Sequence, residues 1–435
     1  MRKIIQKILR FLARRTLKRY QPQVVGITGS VGKTSTKEAV YTVLSSEFRV
    51  RKNYKNYNNE LGVPLTIIDA DTGGKNPFKW LVVFLKGLSL IILPKKKNYP
   101  EILILEMGAD KLGDIKYLTE FVKCQVGVVT AVAPVHTEFL GDLDSVAREK
   151  QTLAKSLSSD GAAILNIDDS MVAKMIDGLK CRVLTYGFSD NALVRAYEET
   201  IAGQNVSRPE GIKSISGVTF KISYQGSTVP VFLPAILGHH SIMSALAAVA
   251  VGTVFKINLI RIAENLKQYK SPPGRMNLID GIKYTLIIDD TYNSSPIAAL
   301  AALEVLGKIQ LPSPHKKYAV LGDMLELGTY ADKGHLEVGR KVAELGIDYL
   351  VTVGSLSKQT ANAAKGAGLS TDQVYSFDKA EEAGKFLQER IDQGDLILVK
   401  GSQGVRMEKV VKELMAEPLR AEELLVRQTG QWRNR

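Results

Sequence analysis

Gly26-Ile-Thr-Gly-Ser-Val-Gly-Lys-Thr34 lies between an apolar run, Val24–Thr28, and a stretch of helical character from about Ser35 to Ser46. Strand, glycine-rich turn and helix in that order make the setting a phosphate-binding loop needs. Glycines let the backbone fold closely around an anion, and the amides of the turn and of the helix start point at it. The expectation is that Gly29, Ser30, Val31, Gly32, Lys33, Thr34 and Ser35 hold a nucleotide. Lys33 would pair with the β- and γ-phosphates, and the Thr34 hydroxyl would reach Mg²⁺. Gly26 comes one residue earlier than the general pattern asks and Gly29 is additional, so a purely structural turn is the alternative.

The flanking sequence predicts an α/β fold. Ile102–Glu106, Val126–Ala131 and Ala162–Asn166 read as buried strands separated by helical stretches, which implies a mostly parallel sheet. Residues 195–235 carry shorter alternating runs, such as Val218–Tyr224, and predict a β-rich insertion. Lys270-Ser-Pro-Pro-Gly-Arg275 is a boundary signal. After it, Leu286–Asp290, Tyr318–Gly322, Tyr349–Val353 and Leu396–Val399 again alternate with helices, predicting a Rossmann-like C-terminal α/β domain. A chain of 435 residues is too long for one ordinary core. The expected division is a basic helix over 1–21, a P-loop central domain over 22–271 and the C-terminal domain over 272–435.

Two segments stand apart. Residues 3–19 form a basic amphipathic pattern: Ile4, Ile5, Ile8, Leu9 and Leu12 share one helical face, and Lys3, Lys7, Arg10, Arg14 and Lys18 fall largely on the other. Such a helix either packs its stripe on the next domain or lies on an anionic membrane. Trp80–Leu93 is apolar except for Lys86 and is followed by Lys95, Lys96 and Lys97. It is shorter than the roughly 20 residues a spanning helix needs, so it reads as buried or interfacial. The net charge of +13 favours acidic partners or simply a basic surface. Nucleic acid is not expected, because the basic residues lack interleaved aromatics. Cys124 and Cys181 make neither a disulfide framework nor a zinc site, which fits a reducing cytoplasm, and no secretory signal is visible.

Several polar residues come just after predicted strands, where α/β sheets build their ligand crevices. Glu106 ends one strand, His136 follows another, and Lys150 sits on the helix beyond. A carboxylate and an imidazole so placed suit a metal, although a lone Glu is more often solvated and a lone His more often a satisfied polar group. In the second half, Asp289-Asp-Thr-Tyr-Asn293, Gly322-Asp-Met-Leu-Glu326 and Lys400-Gly-Ser402 each follow a strand. They predict that a second domain closes on the first with the reaction between them.

Taken together, these motifs resemble the Mur ligases, the peptide-adding enzymes of peptidoglycan synthesis, from about Val24 to Val411. Gly26–Thr34 is similar to the family's ATP loop, and Asn56-Tyr-Asn-Asn-Glu-Leu-Gly-Val-Pro-Leu-Thr66 to the segment after it in the F-type members. Glu106-Met-Gly-Ala109 with Gly113-Asp-Ile115 resembles the acidic metal-binding motif, and Val132-Ala-Pro-Val-His136 the histidine motif. Ala147-Arg-Glu-Lys150 aligns with the lysine the family carbamylates, and Pro273-Gly-Arg275 with the linker arginine. Asp289–Pro296, Leu321–Gly328, Val399–Ser402 and Arg406-Met-Glu408 look F-type.

The resemblance implies a reaction. ATP phosphorylates the terminal carboxylate of a muramoyl-tripeptide, and the amine of D-alanyl-D-alanine attacks the acyl phosphate. Lys33, Glu106, His136 and Lys150 are the implied catalytic residues, with metal held by Thr34, Glu106, His136 and carbamylated Lys150. Arg275, Asp290 and Asn293 are implied at the nucleotide. Asn58, Asn59, Lys400, Ser402 and Arg406 are implied at the peptide substrates. A monomer, in the cytoplasm at large or at the inner membrane face, completes the expectation.

Two departures qualify the match. Only about twenty residues precede the loop, where the family carries a domain that grips the uridine diphosphate; the carrier is therefore either UDP-linked or a lipid-linked or other acidic one. Where the family has His-Asn-x-x-Asn, this chain has His240-Ser-Ile-Met-Ser244, so Ser241 and Ser244 are expected at the nucleotide with shorter reach than asparagine. A non-catalytic ATP-binding partner of a cell-wall complex is the other class, and Lys33, Glu106, His136 and Lys150 occurring together argue against it.

Overall fold

In a computed structural model of the chain, residues 2–54, 57–133, 142–203 and 215–429 are described. His136 lies outside them. The chain divides into two compact units. One comprises Met1–Glu199, Phe220–Val231 and His240–Tyr269, and the other Thr200–Thr219, Phe232–His239 and Lys270–Arg435.

The first unit holds most of a sheet ordered β2-β3-β1-β4-β5-β6-β7-β8-β9. Its strands are β1 (Gln23–Thr28), β2 (Val50–Lys52), β3 (Ile102–Glu106), β4 (Val126–Val129), β5 (Ala162–Asn166), β6 (Arg182–Gly187), β7 (Val194–Ala202), β8 (Gly217–Tyr224) and β9 (Ser227–Pro234). Pairing from β2 through to β7 is parallel. β3, β4 and β5 are buried along their whole length, which is why they read as continuous apolar runs rather than alternating ones. The β-rich insertion is β7–β9, and Gln225-Gly226, both at positive φ, turns β8 into β9.

The helices of this unit are α1 (Arg2–Tyr20), α2 (Lys33–Leu44), α3 (Gly62–Ile68), α4 (Pro77–Ile92), α5 (Asp114–Phe121), α6 (Leu143–Lys155), α7 (His239–Val254) and α8 (Leu259–Leu266). α2 begins two residues before the predicted start, because Gly32 takes a left-handed φ of 83° and turns the chain into it. Asn76 caps α4, its side chain accepting from the amides of Phe78 and Lys79, with Pro77 in the first turn. The apolar stripe of α1 packs rather than standing free: Leu9 and Leu12 join Leu65, Ile68, Trp80, Val83, Leu90 and Tyr99 in one core. Ile4, expected on that stripe, is exposed instead, while Ile5 and Ile8 are half-buried.

The second unit has its own sheet, ordered β10-β11-β15-β12-β13-β14. These are β10 (Asn277–Asp280), β11 (Leu286–Asp290), β12 (Lys317–Gly322), β13 (Tyr349–Val353), β14 (Val374–Phe377) and β15 (Leu396–Lys400). Only the β10–β11 pair is antiparallel. Alternate residues feed two cores: Ile288, Ala319, Leu350 and Leu398 go to one, Ile287, Val320, Val351 and Val399 to the other, as the period-2 geometry of a doubly covered sheet requires. Its helices are α9 (Pro296–Lys308), α10 (Ala331–Glu344), α11 (Ser357–Gly366), α12 (Ala380–Arg390) and α13 (Glu408–Leu414). Both units are thus α/β with mostly parallel sheets.

Candidate active site

Parallel pairing brings the carboxyl ends of β1, β3 and β4 to one edge, with Ile27 opposite Glu106 and Thr28 opposite Val129. The loop after β1 is fixed from β4. The Ser30 amide donates to the Ala131 carbonyl at 2.8 Å, and Thr130 Oγ1 donates to the carbonyl of Val31 at 2.5 Å. Gly29 has φ +147°, and a Cβ there would lie 2.0 Å from Thr130 Oγ1, so only glycine fits. Lys33 lies over the loop it belongs to, its Nζ donating to the carbonyls of Gly29 (2.6 Å) and Ser30 (3.1 Å). Val31 is exposed at the loop tip, while Ser35 is buried and its carbonyl accepts from the Tyr269 hydroxyl at 3.2 Å.

Glu106 is 2% exposed. Its Oε1 accepts from Asn58 Nδ2 at 3.2 Å and from Thr34 Oγ1 at 3.4 Å, and its amide donates to Asn53 Oδ1. Its Oε2 lies 3.3 Å from the Nζ of Lys37 but makes no hydrogen bond among the described residues. A buried carboxylate oxygen without a hydrogen bond is costly. It is also what a hard cation would complete, and Thr34 brings a hydroxyl oxygen to the same carboxylate. The residues present therefore fit a Mg²⁺ ion held by oxygen ligands. Among the described residues no group of three or more His, Cys, Asp or Glu could enclose a metal by itself.

Lys150, on α6, is 3% exposed. Burial, and then the positive charge of Lys33, pull its pKa down from 10.5 to about 8, against the opposing pull of Glu149, Asp110 and Asp114. A sizeable neutral fraction near pH 8 makes this amine nucleophilic where an ordinary lysine is not. Glu149 beside it accepts from the amides of Gly113 (2.8 Å) and Ile115 (2.7 Å) and so ties α6 to the start of α5. Gly29, Ser30, Lys33, Asn58, Asn59 and Lys150 share one cleft with Asp110, Asp114 and Tyr117. Asn59 also shapes the entry to α3, its Oδ1 accepting from Leu61 and Gly62. Ser241 and Ser244 are buried in the first turns of α7, where Ser244 Oγ donates to the His240 carbonyl at 3.1 Å, and neither lines this cleft.

The polar residues of the second unit form a separate network at the ends of β11 and β15. Lys400 Nζ is paired with Asp290 Oδ2 at 2.5 Å and donates to the Asn293 carbonyl at 3.0 Å. Ser402 Oγ accepts from the Leu325 amide (2.8 Å) and donates to the Ser294 carbonyl (3.3 Å). Arg406 Nε pairs with Glu408 Oε1 at 2.5 Å. Asp289, fully buried, accepts from Thr291 and from the Gly274 amide; burial nevertheless raises its pKa to about 7. Arg275 stacks on Tyr292, 4.2 Å from the ring centroid, with its Nε buried and lacking a hydrogen-bond partner among the described residues.

Lys37, Asn53 and Thr130 join the site without being among the residues expected there from the sequence. Lys37 had a legible signal: it lies one helical turn beyond Lys33, a charge on a face that must turn towards the sheet.

Comparison with known proteins agrees with this picture. Residues 27–77 and 86–252 match the Mur ligase middle domain, and residues 274–403 match the Mur ligase glutamate ligase domain. The chain is 32% identical over 411 residues to the UDP-N-acetylmuramoyl-tripeptide–D-alanyl-D-alanine ligase of Bacillus subtilis, covering 94% of this chain and 80% of that one. A crystal structure of MurF from Acinetobacter baumannii superposes with a TM-score of 0.74 at 26% identity, over 93% of this chain and 79% of that one. The MurF ligase of Thermotoga maritima, solved with ADP, gives 0.73 at 26% identity, over 94% and 83%.

Proposed function

The chain belongs to the Mur ligase family, and from that premise we propose an ATP-dependent amide ligase of peptidoglycan precursor synthesis that joins D-alanyl-D-alanine to a muramoyl-tripeptide. The observation that carries the reading is the convergence in one unit of the loop lysine Lys33, the incompletely satisfied Glu106 and the depressed amine of Lys150. We read residues 1–21 as a basic helix, 22–271 as the central ATP-binding domain and 272–435 as the C-terminal ligase domain.

In the reaction, an oxygen of the tripeptide's terminal carboxylate attacks the γ-phosphorus of ATP, and the bond to the β,γ-bridging oxygen breaks to release ADP. The amine of D-alanyl-D-alanine then attacks the acyl carbon. Inorganic phosphate leaves with the acyl oxygen, and the amine gives up a proton as the amide forms. Backbone amides of Gly29–Thr34 and the start of α2 bind the phosphates, whose charge Lys33 offsets once it leaves its own loop carbonyls. Thr34 and Glu106 would hold Mg²⁺, which when bound neutralises charge on the transferring phosphoryl group. The neutral amine of Lys150 can take up CO₂ as a carbamate, losing a proton and becoming an anionic oxygen ligand that a hard cation prefers. His136, outside the described residues, is proposed for the same ligand set on its motif alone.

Asn58 and Asn59, on the cleft wall, are proposed to meet the tripeptide, and Lys400, Ser402 and Arg406 the incoming dipeptide. Arg275, Asp290 and Asn293 are proposed on the nucleotide side, and Ser241 and Ser244, which do not line the cleft, are given at most a minor part there. The enzyme is proposed to act as a monomer in the cytoplasm, at the inner face of the membrane.

The test is ADP release and product mass with D-alanyl-D-alanine and a panel of acceptors. The expected result is ADP formation that requires both substrates, with the acceptor gaining one dialanyl unit. A UDP-linked muramoyl-tripeptide and its lipid-linked counterpart form the two arms. Turnover of neither, with ATP still bound, would favour a non-catalytic partner.

A further inference from the structure

The basic charge of this chain is unevenly placed. Residues 2–20 hold eight basic side chains and no acid, and residues 75–97 hold six and no acid. Those fourteen account for the whole net charge of +13, since 44 basic side chains elsewhere face 45 acidic ones. The same two segments are α1 and α4, packed on each other.

α4 uses only one of its faces for that packing. Trp80, Val83, Gly87 and Leu90 recur at helical spacing and are buried. A Cβ on Gly87 would meet Leu12 of α1 at 2.8 Å, so the two helices approach closely there. The other face is also apolar. Phe78, Leu81, Val82, Leu85, Leu88 and Ile92 run along it, with Phe78 exposed to 78% and Val82 to 64%, and Leu93 extends it. An apolar row on both sides of a surface helix is not what a solvated helix carries. Lys75 and Lys79 stand exposed at its N-terminal end and Lys95, Lys96 and Lys97 beyond its C-terminal end. Arg19 donates to the Ile91 carbonyl and the Lys96 amide to the Tyr20 hydroxyl, so the end of α1, with exposed Arg14, Arg15 and Lys18, meets the end of α4.

We propose that α1 and α4 form a docking surface for an anionic lipid bilayer, with the outer face of α4 entering the headgroup–acyl boundary and the flanking lysines and arginines on the lipid phosphates. The charge pattern selects this occupant. Arg2, Arg10 and Lys86 are paired with Glu60, Glu120 and Asp69 of neighbouring elements, but the excess of cations around the apolar face of α4 is what an anionic surface requires and a protein partner does not. The mode is interfacial: α4 has 16 residues, about 24 Å of helix against a hydrocarbon core of roughly 30 Å, and among the described residues no helix is long and apolar enough to cross. Long basic side chains can stay at the phosphates while their stems lie along the apolar row.

The experiment is co-sedimentation of the full chain with vesicles of phosphatidylcholine alone and of phosphatidylcholine mixed with phosphatidylglycerol, at low and high salt. Strong binding to the anionic vesicles at low salt, at least about tenfold weaker binding to the neutral ones, and loss with salt are expected. Leu81→Glu with Leu85→Glu should abolish retention. Lys95→Glu, Lys96→Glu and Lys97→Glu together should remove the preference for anionic lipid. ADP release with soluble substrates should stay unchanged in both variants, which checks the fold and separates this proposal from the ligase reading. Equal binding to both vesicle types, or none, overturns the proposal. So does a dimer in solution that Leu81→Glu dissolves, which would make the face a contact between copies of the chain.

Discussion

Each unit buries a lysine beside a carboxylate, Lys400 at the end of β15 and Lys150 on α6, yet the two surroundings differ. Lys400 is paired with Asp290 and donates to a carbonyl, and Arg406 is paired with Glu408. Lys150 has its charge disfavoured by burial and by Lys33, while one buried oxygen of Glu106 lies 3.3 Å from the Lys37 ammonium and has no hydrogen bond among the described residues. The first arrangement is complete within the protein. The second is completed from outside, by a phosphate, a metal ion or a carbamate. Perturbed, incompletely satisfied groups mark where ligands act, and paired ones mark structure or a network that a ligand must open.

Substitutions can break that comparison. The largest effect is expected from Glu106→Gln, which removes the charge and keeps the shape. ADP release should fall on the order of 10³-fold, as for other preorganised electrostatic groups, with circular dichroism unchanged. A rate within tenfold of the parent would remove Glu106 from the chemistry. Next comes Lys400→Met, which strands Asp290 in a buried setting. Urea unfolding should show a loss of about 3–5 kcal/mol, the cost of breaking a buried pair from one side.

The same change at Lys150 should act in the opposite direction. The folded pKa lies below the unfolded value of 10.5, so the folded state sheds its proton first as pH rises. The lysine therefore lowers stability below about pH 8, and that cost disappears between about pH 8 and 10.5. In bicarbonate-free buffer at pH 7, Lys150→Met should be more stable than the parent by about 3 kcal/mol. The gap should close by pH 10.5, and ligation should be lost at every pH. Equal destabilisation by both methionine variants would mean that the two regions are alike. The smallest effect is expected at Ser244→Ala. This side chain is buried against its own helix and does not line the cleft, so the KM for ATP should change by less than about threefold, or roughly 0.6 kcal/mol.

Much of the fold was legible because buried parallel strands advertise themselves. β3, β5 and β13 are mostly apolar runs, β1 and β11 have apolar centres, and the Gly-Lys-Thr turn orders strand before helix. What escaped has physical reasons. β2 is three residues at a sheet edge and half-exposed throughout, too short to show a period. β14 is another short edge strand with mixed burial. The α1 stripe was visible, but a helical period says only that one face is apolar, not what covers it. In the cleft, the glycines and Lys33 could be read from spacing. The pairing of Lys37 with Glu106 joins a helix to a strand 69 positions away, a contact that sheet register creates and local sequence does not encode.

The most direct test of the account uses acceptor labelled with ¹⁸O in the terminal carboxylate. Transfer of that oxygen to the γ-phosphorus predicts one ¹⁸O in the phosphate released for every amide formed. Amide formation with unlabelled phosphate would contradict the acyl-phosphate route, and with it the chemistry assigned to Lys33, Glu106 and Lys150.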